Sequence, residues 1–440
     1  MNLSMILLGV ALSLLVIGLI RGLEISVWLI LIASSLLYAG HLLGLIDKDP
    51  MAIILISIKN SFHNIALIIM MLFGYSHYMQ RIGANQALIT LVSRPLMKLR
   101  QPYILLIALF LLASLLSLVI TSAAALAILL LSTFYPILKK VGISKPAIAA
   151  VIVSATGILP SPLAVETHLS AQALNLSIND YIALSYTITL PMLFAMAITH
   201  GIWQYRQDKA LQKLDLQEKN FQTEESITPI QWFLAPLPFL PLILFTFYAL
   251  VVKEQEVDIM AMLFMALGIA WIVDLFLNRS LKIATQHLAH IWQGMATGLI
   301  QVGSIVISAG LFVQAIKELG IIEQMLQLMQ AQQLPAIALI FLLMMSIIFV
   351  ALISGSGLAL YFGLAPFVPL FADISGVEGW KLATLLEVTA HTSRTFSILA
   401  AVMIVTSKQL DISLRAIMHR TYPAVLMAWG ILILHLFLHS

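Results

Sequence analysis

Apolar windows of about 20 residues recur along this chain, with short polar loops between them. A helix needs roughly 20 mostly apolar residues to cross the hydrocarbon core of a bilayer. Nine windows meet this requirement: residues 1–20, 25–46, 61–79, 181–203, 232–252, 259–277, 294–316, 382–406 and 422–438. Residues 146–175 form a longer window that is interrupted at its middle. The sequence therefore predicts an all-α polytopic membrane protein.

The composition leaves few other folds open. Of the 440 residues, 61% are apolar and 10% are charged, whereas an ordinary soluble domain carries about 25% charged residues. A soluble chain exposes most of its own surface to water, so a cytosolic enzyme, a disordered chain and a secreted disulfide scaffold are excluded. The absence of cysteine excludes disulfides and thiolate metal sites. The basic residues are spread along the chain between the windows, so the net charge of +3 does not indicate a nucleic-acid partner. We also expect no metal and no cofactor.

Two apolar stretches, residues 103–138 and 336–371, each carry a short polar tip in the middle. The tips are Thr121-Ser122 and Ser354-Gly355-Ser356-Gly357. The apolar arm after each tip has about 12 residues, which rise only about 18 Å as a helix, against a hydrocarbon core of about 30 Å. We therefore predict two re-entrant hairpins, each turning at mid-depth and returning to the same side. Two tightly linked helices with one tilted arm are the alternative.

One hydrophilic stretch, residues 204–231, divides the chain into halves, residues 1–203 and 232–440. The halves match around their polar tips at a constant offset of 233. Each half has five predicted spans and one hairpin. Because each half crosses the membrane an odd number of times, the second half has the opposite orientation in the membrane. The broken windows 146–175 and 382–406 occupy matching places. We expect an inverted repeat joined by a cytoplasmic connector.

The basic residues test this topology. With both termini outside, the inside loops hold 17 of the lysines and arginines and the outside loops hold 5, while Arg394 lies within a window. An excess of positive charge on cytoplasmic loops is the rule for such proteins. The first window has no basic residue before its apolar run, so we expect a retained helix rather than a cleaved signal peptide. We expect a multi-pass protein of the bacterial inner membrane with both termini periplasmic or external.

The polar tips are the first candidate binding residues. Backbone that turns at mid-membrane is tolerated only where it is buried in protein or lines a wet cavity. Helices are expected to begin near Ala123 and Gly357, and their free N–H groups favour an anion. We therefore assign the tips, Thr121, Ser122 and residues 354–357, to a carboxylate substrate. The alternative is that these small residues only let helices pack closely.

Arg394 lies at the midpoint of window 382–406, where an arginine costs roughly 2.5 to 3.5 kcal/mol to insert. A planar guanidinium suits a carboxylate, so Arg394, with Thr395 beside it, is the expected substrate contact. A structural pair with an acid or with hairpin carbonyls is the alternative. On a continuous helix Glu387 and His391 share its face. They could fix the arginine by pairing, or one of them could carry a coupling proton.

The interruption of window 146–175 supplies further polar groups. Ser154 and Thr156 precede two prolines, and Glu166 follows them. The prolines remove N–H donors and break a helix. The freed carbonyls and the hydroxyls could bind a coupling cation or the substrate's second carboxylate, and Glu166 could be a cation ligand, a proton site or a partner of the arginine. A plain structural kink is the alternative.

Four blocks together are typical of one known family. They are Gly74-x-x-x-Tyr78-Met79-x-x-Ile82-Gly83-Ala84-Asn85, Pro136 with Val141-Gly142-Ile143-Ser144, Ser354-Gly355-Ser356-Gly357, and Arg394-Thr395-x-Ser397. From about residue 51 to about 426 the chain resembles the DcuC family of anaerobic four-carbon dicarboxylate carriers, within the wider ion-transporter superfamily. The resemblance implies a secondary carrier of fumarate, succinate, malate or aspartate, working by exchange or by coupling to Na⁺ or H⁺. It also implies a scaffold domain that forms a homodimer, and a transport domain of hairpins and broken helices that moves like an elevator.

Four positions near the expected site differ from the family pattern: Glu166, Leu358, His391 and Ser393. The family has Asp at the first, Asn at the next two and Gly at the last, and losing two amides changes the donors and acceptors of a pocket. No enzyme motif is present, so no catalytic residue is assigned. We expect a carrier of C4-dicarboxylates whose partners are a small organic anion, membrane lipids and a second copy of the chain. A carrier of another organic acid (a sugar acid, citrate or a monocarboxylate) and an anion channel are the alternatives.

Overall fold

The computed structural model describes residues 3–21, 23–96, 99, 101–120, 122–211, 229–251, 259–321, 324 and 336–438. These residues form helices and loops, with no strand in the described part. The helices of the first half are α1 (Leu3–Ile20), α2 (Ile25–Leu42), α3 (Pro50–Ser61), α4 (Leu67–Arg81), α5 (Ala84–Leu96), α6 (Pro102–Leu116), α7 (Ala123–Lys140), α8 (Lys145–Ser154), α9 (Val165–Ala173) and α10 (Ile178–Leu211). A π-helical turn, Phe62–Ala66, joins α3 to α4.

The second half is also built from helices joined by short segments. Its helices are α11 (Pro229–Leu234), α12 (Leu240–Val251), α13 (Ile259–Asn278), α14 (Leu281–Gly298), α15 (Ser304–Glu318), α16 (Ala336–Ser354), α17 (Leu358–Leu364), α18 (Val368–Ser375), α19 (Gly379–Thr392), α20 (Ala401–Leu410) and α21 (Leu414–Leu438). A second π-helical turn, Leu299–Gly303, joins α14 to α15. Short 3₁₀ segments lie at Leu237–Phe239, Ala365–Phe367 and Ser393–Phe396. The predicted all-helical class is confirmed.

Side-chain caps fix where two of the long helices begin. Asp49 accepts hydrogen bonds from backbone N–H groups in the first turn of α3, and Ser280 does the same for α14. Such caps satisfy donors that a helix start otherwise leaves free. The helices therefore begin well before the predicted windows 61–79 and 294–316.

Seven stretches of the described chain are long and apolar enough to cross a membrane: Ala123–Lys140, Ile178–Ala210, Ile259–Asn278, Leu281–Glu318, Leu358–Ser375, Gly379–Leu410 and Leu414–Leu436. Shorter apolar helices accompany them. These stretches are typical of a multi-pass membrane protein, and the count of ten spans stays a prediction.

The arms that follow the two polar tips are longer than expected. α7 has 18 residues and continues through Pro136, and Leu358–Ser375 also has 18 residues. A helix of that length rises about 27 Å, so the predicted arm of about 12 residues is wrong, and length alone does not require a re-entrant arm. The starts of the arms, at Ala123 and Leu358, lie where the tips predict them.

Local backbone features recur at matching places in the two halves. Asn175 and Asp411 both adopt a positive φ, 54° and 51°, shortly before α10 and α21. Gly83 and Gly320 have φ values of 77° and 62° after α4 and α15, and each of those helices follows a π-helical turn. Positive φ is uncommon for residues other than glycine, so Asn175 and Asp411 share an unusual backbone conformation.

Helices α4 and α14 cross at very short range. A Cβ on Gly294 would lie 2.5 Å from the carbonyl oxygen of Phe73, so only glycine permits this approach. Helix α15 packs in turn against α2 and α3. Of these helices, α4 and the first turn of α15 line the site described below, with Leu72, Phe73 and Ile305.

Helix α10 extends through the start of the predicted connector. It covers residues 204–211, which are helical rather than a solvated linker. Gln204 and Asp208 are buried there, because Arg420 of α21 pairs with Asp208 at 2.7 Å and donates to the Gln204 side chain at 3.0 Å. Residues 212–228 of the predicted connector lie outside the described residues.

Candidate functional site

A cavity of about 350 Å³ lies where the two chain breaks meet. The first break separates α8 from α9, and the second separates α19 from α20. The turn after α6 lines the cavity with Ser117 and Ile120, and the turn after α16 lines it with Ser356. The opposite wall comes from α4 and the second π-helical turn, with Phe73 and Gln301. The turns after α6 and α16 and both helix breaks therefore contribute to one space.

Arg394 brings positive charge into this cavity. It lies in a 3₁₀ segment that follows α19, where the helix predicted to be broken over residues 382–406 is interrupted. Its Nη2 donates to the backbone carbonyl oxygen and to Oγ1 of Thr156, both at 2.6 Å. Its Nε is buried with no hydrogen-bond partner, and it forms no ion pair with an acidic residue of the described chain. Neutral groups thus position the guanidinium, which keeps donors for an anion.

The second tip packs closely on helix α19. Ser354 donates to the carbonyl oxygen of Ser356 at 3.0 Å, and Gly355 has a φ of +83°. A Cβ on Gly357 would lie 2.7 Å from the carbonyl oxygen of Ala390. Glycine at these positions therefore allows the tight turn and the close approach that place Ser356 on the cavity wall.

In each half, a serine of the helix break bonds to the segment that precedes the polar tip. Ser161 in the first break donates to the carbonyl oxygen of Leu118 at 2.9 Å. Ser397 in the second break donates to the carbonyl oxygen of Leu352 at 3.2 Å. Both serines begin the same short sequence, Ser-x-Leu-Ala. The two breaks thus share one construction.

Glu166 and His391 form a pair on the cavity wall. Glu166 Oε1 lies 2.6 Å from His391 Nε2, and both side chains are buried. His391 Nδ1 is buried with no hydrogen-bond partner. Both positions were among those that differ from the family pattern, so two of the departures contact each other. The pair adds an ionisable group beside the arginine.

Gly157 leaves the room that His391 occupies. Its φ is +75°, and a Cβ on it would overlap the imidazole ring. We expect Gly157→Ala to displace the ring and to lower the free energy of unfolding by about 1–3 kcal/mol through strain and crowding. The measurement is thermal unfolding in detergent against Gly142→Ala, which has a φ of +83° but open space around its Cβ. Equal destabilisation of the two variants would contradict the clash.

Glu387 does not line the cavity. Its carboxyl accepts hydrogen bonds from Tyr181 at 2.8 Å and from Ser170 and Thr167 at 3.4 Å. The expected pairing with His391 or the arginine is wrong, because His391 binds a different carboxylate and α19 ends before the arginine.

The other predicted residues have local partners and do not line the cavity. Ser122 is exposed and caps α7 through a backbone N–H at 3.3 Å. Ser154 lies 2.8 Å from Nε2 of His200, and Thr395 donates to a backbone carbonyl oxygen at 2.8 Å. Thr121 lies outside the described residues.

Two polar residues of the cavity wall, Ser117 and Gln301, escaped the sequence analysis, whereas Ser161 belongs to the break whose hydroxyls are predicted to bind a cation or a carboxylate. Ser117 lies just before a predicted tip, and Ser161 lies between the prolines of the first break. Gln301 belongs to no motif. A π-helical turn changes the direction in which helical side chains point, and nothing in an apolar window signals such a turn.

Similarity to known proteins covers most of the chain. The sequence model of the family described as "C4-dicarboxylate anaerobic carrier" (DcuC) matches residues 41–439. The anaerobic C4-dicarboxylate transporter DcuC of Escherichia coli (strain K12) is 29% identical over 377 residues, which cover 84% of this chain and 80% of that protein. The probable anaerobic C4-dicarboxylate transporter DcuC of Vibrio cholerae serotype O1 is 28% identical over 391 residues, with coverages of 87% and 84%.

Two solved structures are similar in fold. The Alcanivorax borkumensis YdaH transporter aligns with a TM-score of 0.69 at 16% identity and covers 93% of this chain and 96% of its own. Neisseria gonorrhoeae MtrF aligns with a TM-score of 0.59 at 13% identity and covers 90% of this chain and 86% of its own. At such identities the likeness concerns the fold alone.

Proposed function

The chain belongs to the DcuC family of C4-dicarboxylate anaerobic carriers, and on that premise we propose that it carries succinate, fumarate and malate across the bacterial inner membrane. It is a multi-pass membrane transporter and not an enzyme. The proposed mode is secondary transport, by exchange or by coupling to Na⁺ or H⁺. The observation that carries the proposal is Arg394, a cation with an unused donor on the wall of a cavity between two broken helices.

Arg394 would hold one carboxylate of the substrate. A guanidinium binds a carboxylate through two parallel N–H···O bonds, and Thr156 fixes its orientation at 2.6 Å. The second carboxylate would meet the hydroxyl and amide donors of the other walls, Ser117, Ser356 and Gln301. The volume of about 350 Å³ lies in the range of small-molecule sites.

We also propose how the cavity becomes accessible from one side of the membrane and then from the other. Positive φ at Asn175 and Asp411 and the two π-helical turns support an inverted repeat. In this arrangement α2–α4 and α13–α15 form a scaffold that dimerises, while the hairpins and broken helices move against it as an elevator. The cavity lies at that boundary, between Phe73 and Gln301 on one side and Arg394 on the other. Both termini then face the periplasm.

A carrier of a different organic acid is the second candidate, and the Glu166–His391 pair favours it. When His391 is neutral, the carboxylate of Glu166 offsets the charge of Arg394, so a dianion finds no net positive charge in the cavity. A protonated His391 restores that charge. Competition by citrate, a sugar acid and a monocarboxylate separates the two candidates.

Counterflow in proteoliposomes tests the proposed substrate. Vesicles loaded with unlabelled succinate should accumulate labelled succinate, the rate should saturate, and internal succinate should accelerate entry. Fumarate and malate should compete. A signal with a monocarboxylate but with none of the three dicarboxylates contradicts the substrate assignment. Flux that neither saturates nor responds to internal succinate indicates an anion channel.

Gln301→Leu is expected to weaken succinate transport specifically. The substitution removes an amide from the wall opposite Arg394, and the loss of one hydrogen bond should raise KM about 3- to 10-fold. Uptake kinetics for succinate and for a competing monocarboxylate provide the measurement, with Gln314→Leu on α15 as the control, whose amide bonds to Glu318 at 2.8 Å. The same KM change for both substrates would show that Gln301 does not contact the second carboxylate.

A further inference from the structure

Glu387 lies behind the cavity wall in a hydroxyl cage formed by Thr167 and Ser170 of α9, Tyr181 of α10 and Tyr361 of α17. Its side chain is buried, at 3% exposure, and no lysine, arginine or histidine of the described chain forms an ion pair with it. Buried ions need a compensating charge or a full set of hydrogen bonds. The cage supplies no positive charge, so its hydrogen bonds decide whether Glu387 is stable as an ionised carboxylate or as a neutral carboxylic acid.

The hydroxyl hydrogens of the cage do not suffice for an ionised carboxylate. Each hydroxyl has one hydrogen to donate. That of Ser170 is best placed for the carbonyl oxygen of Glu166, at 2.8 Å against 3.4 Å for Glu387. The 3.4 Å from Thr167 is long for an O–H···O bond. Tyr181, at 2.8 Å, remains as the short donor, and a neutral carboxylic acid with its own O–H fits the cage.

Formation of the cage also depends on the position of α17, the arm that follows the second polar tip. Tyr361 hydrogen-bonds Ser170, so the cage is complete only when α17 packs against α9. On the same helix Leu358 and Phe362 line the substrate cavity. An ionised Glu387 would oppose this packing, since it would lie buried without compensation. The packing of α17 that closes the cavity wall is therefore coupled to the protonation of Glu387.

We propose that Glu387 binds a transported proton, at a place separate from the substrate and filled when α17 closes the cavity wall. The proposal rests on the carrier function given above. The proton adds to a carboxylate oxygen on closure and leaves when the arm opens on the other side. Glu387 lies one helical turn from His391 on α19, and His391 pairs with Glu166 on α9. Helices α9 and α19 therefore contribute to both the substrate cavity and the hydroxyl cage.

Other ionisable groups near α19 are already engaged or point away. They are Glu166 and His391, which pair with each other; Lys381 of α19, paired with Glu378; Arg394, bonded to Thr156; His168 of α9, bonded to the Pro162 carbonyl oxygen; Asp180 of α10, bonded to Ser177; Tyr186 of α10, bonded to the Pro160 carbonyl oxygen; Tyr181 and Tyr361 of the cage; Asp373 of α18, which is exposed; Arg420 of α21, paired with Asp208; and His435 of α21, against Trp380. Helix α16 has no ionisable residue.

Glu387→Gln tests the proposal in proteoliposomes that contain a trapped pH-sensitive dye. Glutamine keeps the shape and the neutral state of the bound form. Succinate counterflow should persist, because exchange moves no net proton, whereas proton entry with succinate and accumulation driven by a pH gradient should be lost. The matched control is Glu318→Gln, whose carboxylate pairs with Lys48 at 3.1 Å and bonds to none of the cage residues; it should keep all three activities.

Tyr181→Phe gives a second test that leaves the carboxyl in place. It removes the short donor to Glu387, which disfavours the ionised form, so the pH profile of succinate uptake should move to higher pH. An unmoved profile, or normal proton entry in Glu387→Gln, overturns the proposal. Uptake that needs Na⁺ and loses this need in Glu387→Gln would assign the cage to Na⁺ and overturn it also. No counterflow in the unmodified protein would instead refute the carrier function.

Discussion

Replacing Arg394 by lysine is expected to remove succinate transport while the protein still folds. Lysine keeps the positive charge but lacks the planar donors that match a carboxylate and that reach Thr156 at 2.6 Å. Losing one partner of a buried charge pair typically costs about 2–5 kcal/mol, so we expect the kcat/KM of counterflow to fall about 100-fold or more. Initial rates of labelled succinate uptake across a concentration series give this value.

Two further variants separate substrate binding from structure. Arg415→Lys changes an exposed arginine of α21 and should transport normally. Thr156→Val removes one of the two contacts that orient Arg394 and should reduce transport less than Arg394→Lys does. If Arg394→Lys keeps most of the succinate transport, the arginine only joins the two breaks and does not bind substrate.

Arg420→Gln should be among the most destabilising single changes in this chain. Arg420 is 3% exposed and pairs with Asp208 at 2.7 Å, and Asp208 also accepts a hydrogen bond from the Ser144 hydroxyl at 2.6 Å. The clamp therefore joins α21, α10 and the start of α8. Removing the arginine leaves a buried carboxylate without a cation, which typically costs about 3–5 kcal/mol. Thermal unfolding in detergent, monitored by intrinsic fluorescence, measures the loss.

The double variant Asp208→Asn with Arg420→Gln provides the internal check. It buries no unpaired charge, so it should be more stable than Arg420→Gln alone. Lys48→Gln breaks an exposed pair with Glu318 and should cost less than about 1 kcal/mol. If the double variant loses the sum of the two single losses, the pair does not act as a buried unit.

The class of fold and the main interruptions could be predicted because they depend on local sequence. Apolar length marks the membrane helices, the prolines mark the break after Ser154, and the polar tips mark the helix starts at Ala123 and Leu358. Arg394 could be selected because an intramembrane arginine is costly without a role. Each of these signals lies within one window.

The partners of the selected residues could not be predicted, since they come from distant parts of the chain. Glu166 and His391 are 225 positions apart, and neither local motif identifies the other as its partner. The position of Gln301 on the cavity wall depends on a π-helical turn, and the burial of Asp208 depends on its ion pair with Arg420. In each case the local sequence is compatible with several side-chain partners, and only the tertiary packing determines which partner is in contact.

The most direct test of substrate binding at Arg394 is the structure of this protein with succinate bound. We expect one carboxylate of succinate within hydrogen-bond distance of the Arg394 guanidinium and the other against Ser356, Ser117 or Gln301, inside the cavity of about 350 Å³. Succinate bound elsewhere, or a saturated protein in which Arg394 still contacts only Thr156, would contradict substrate binding at Arg394.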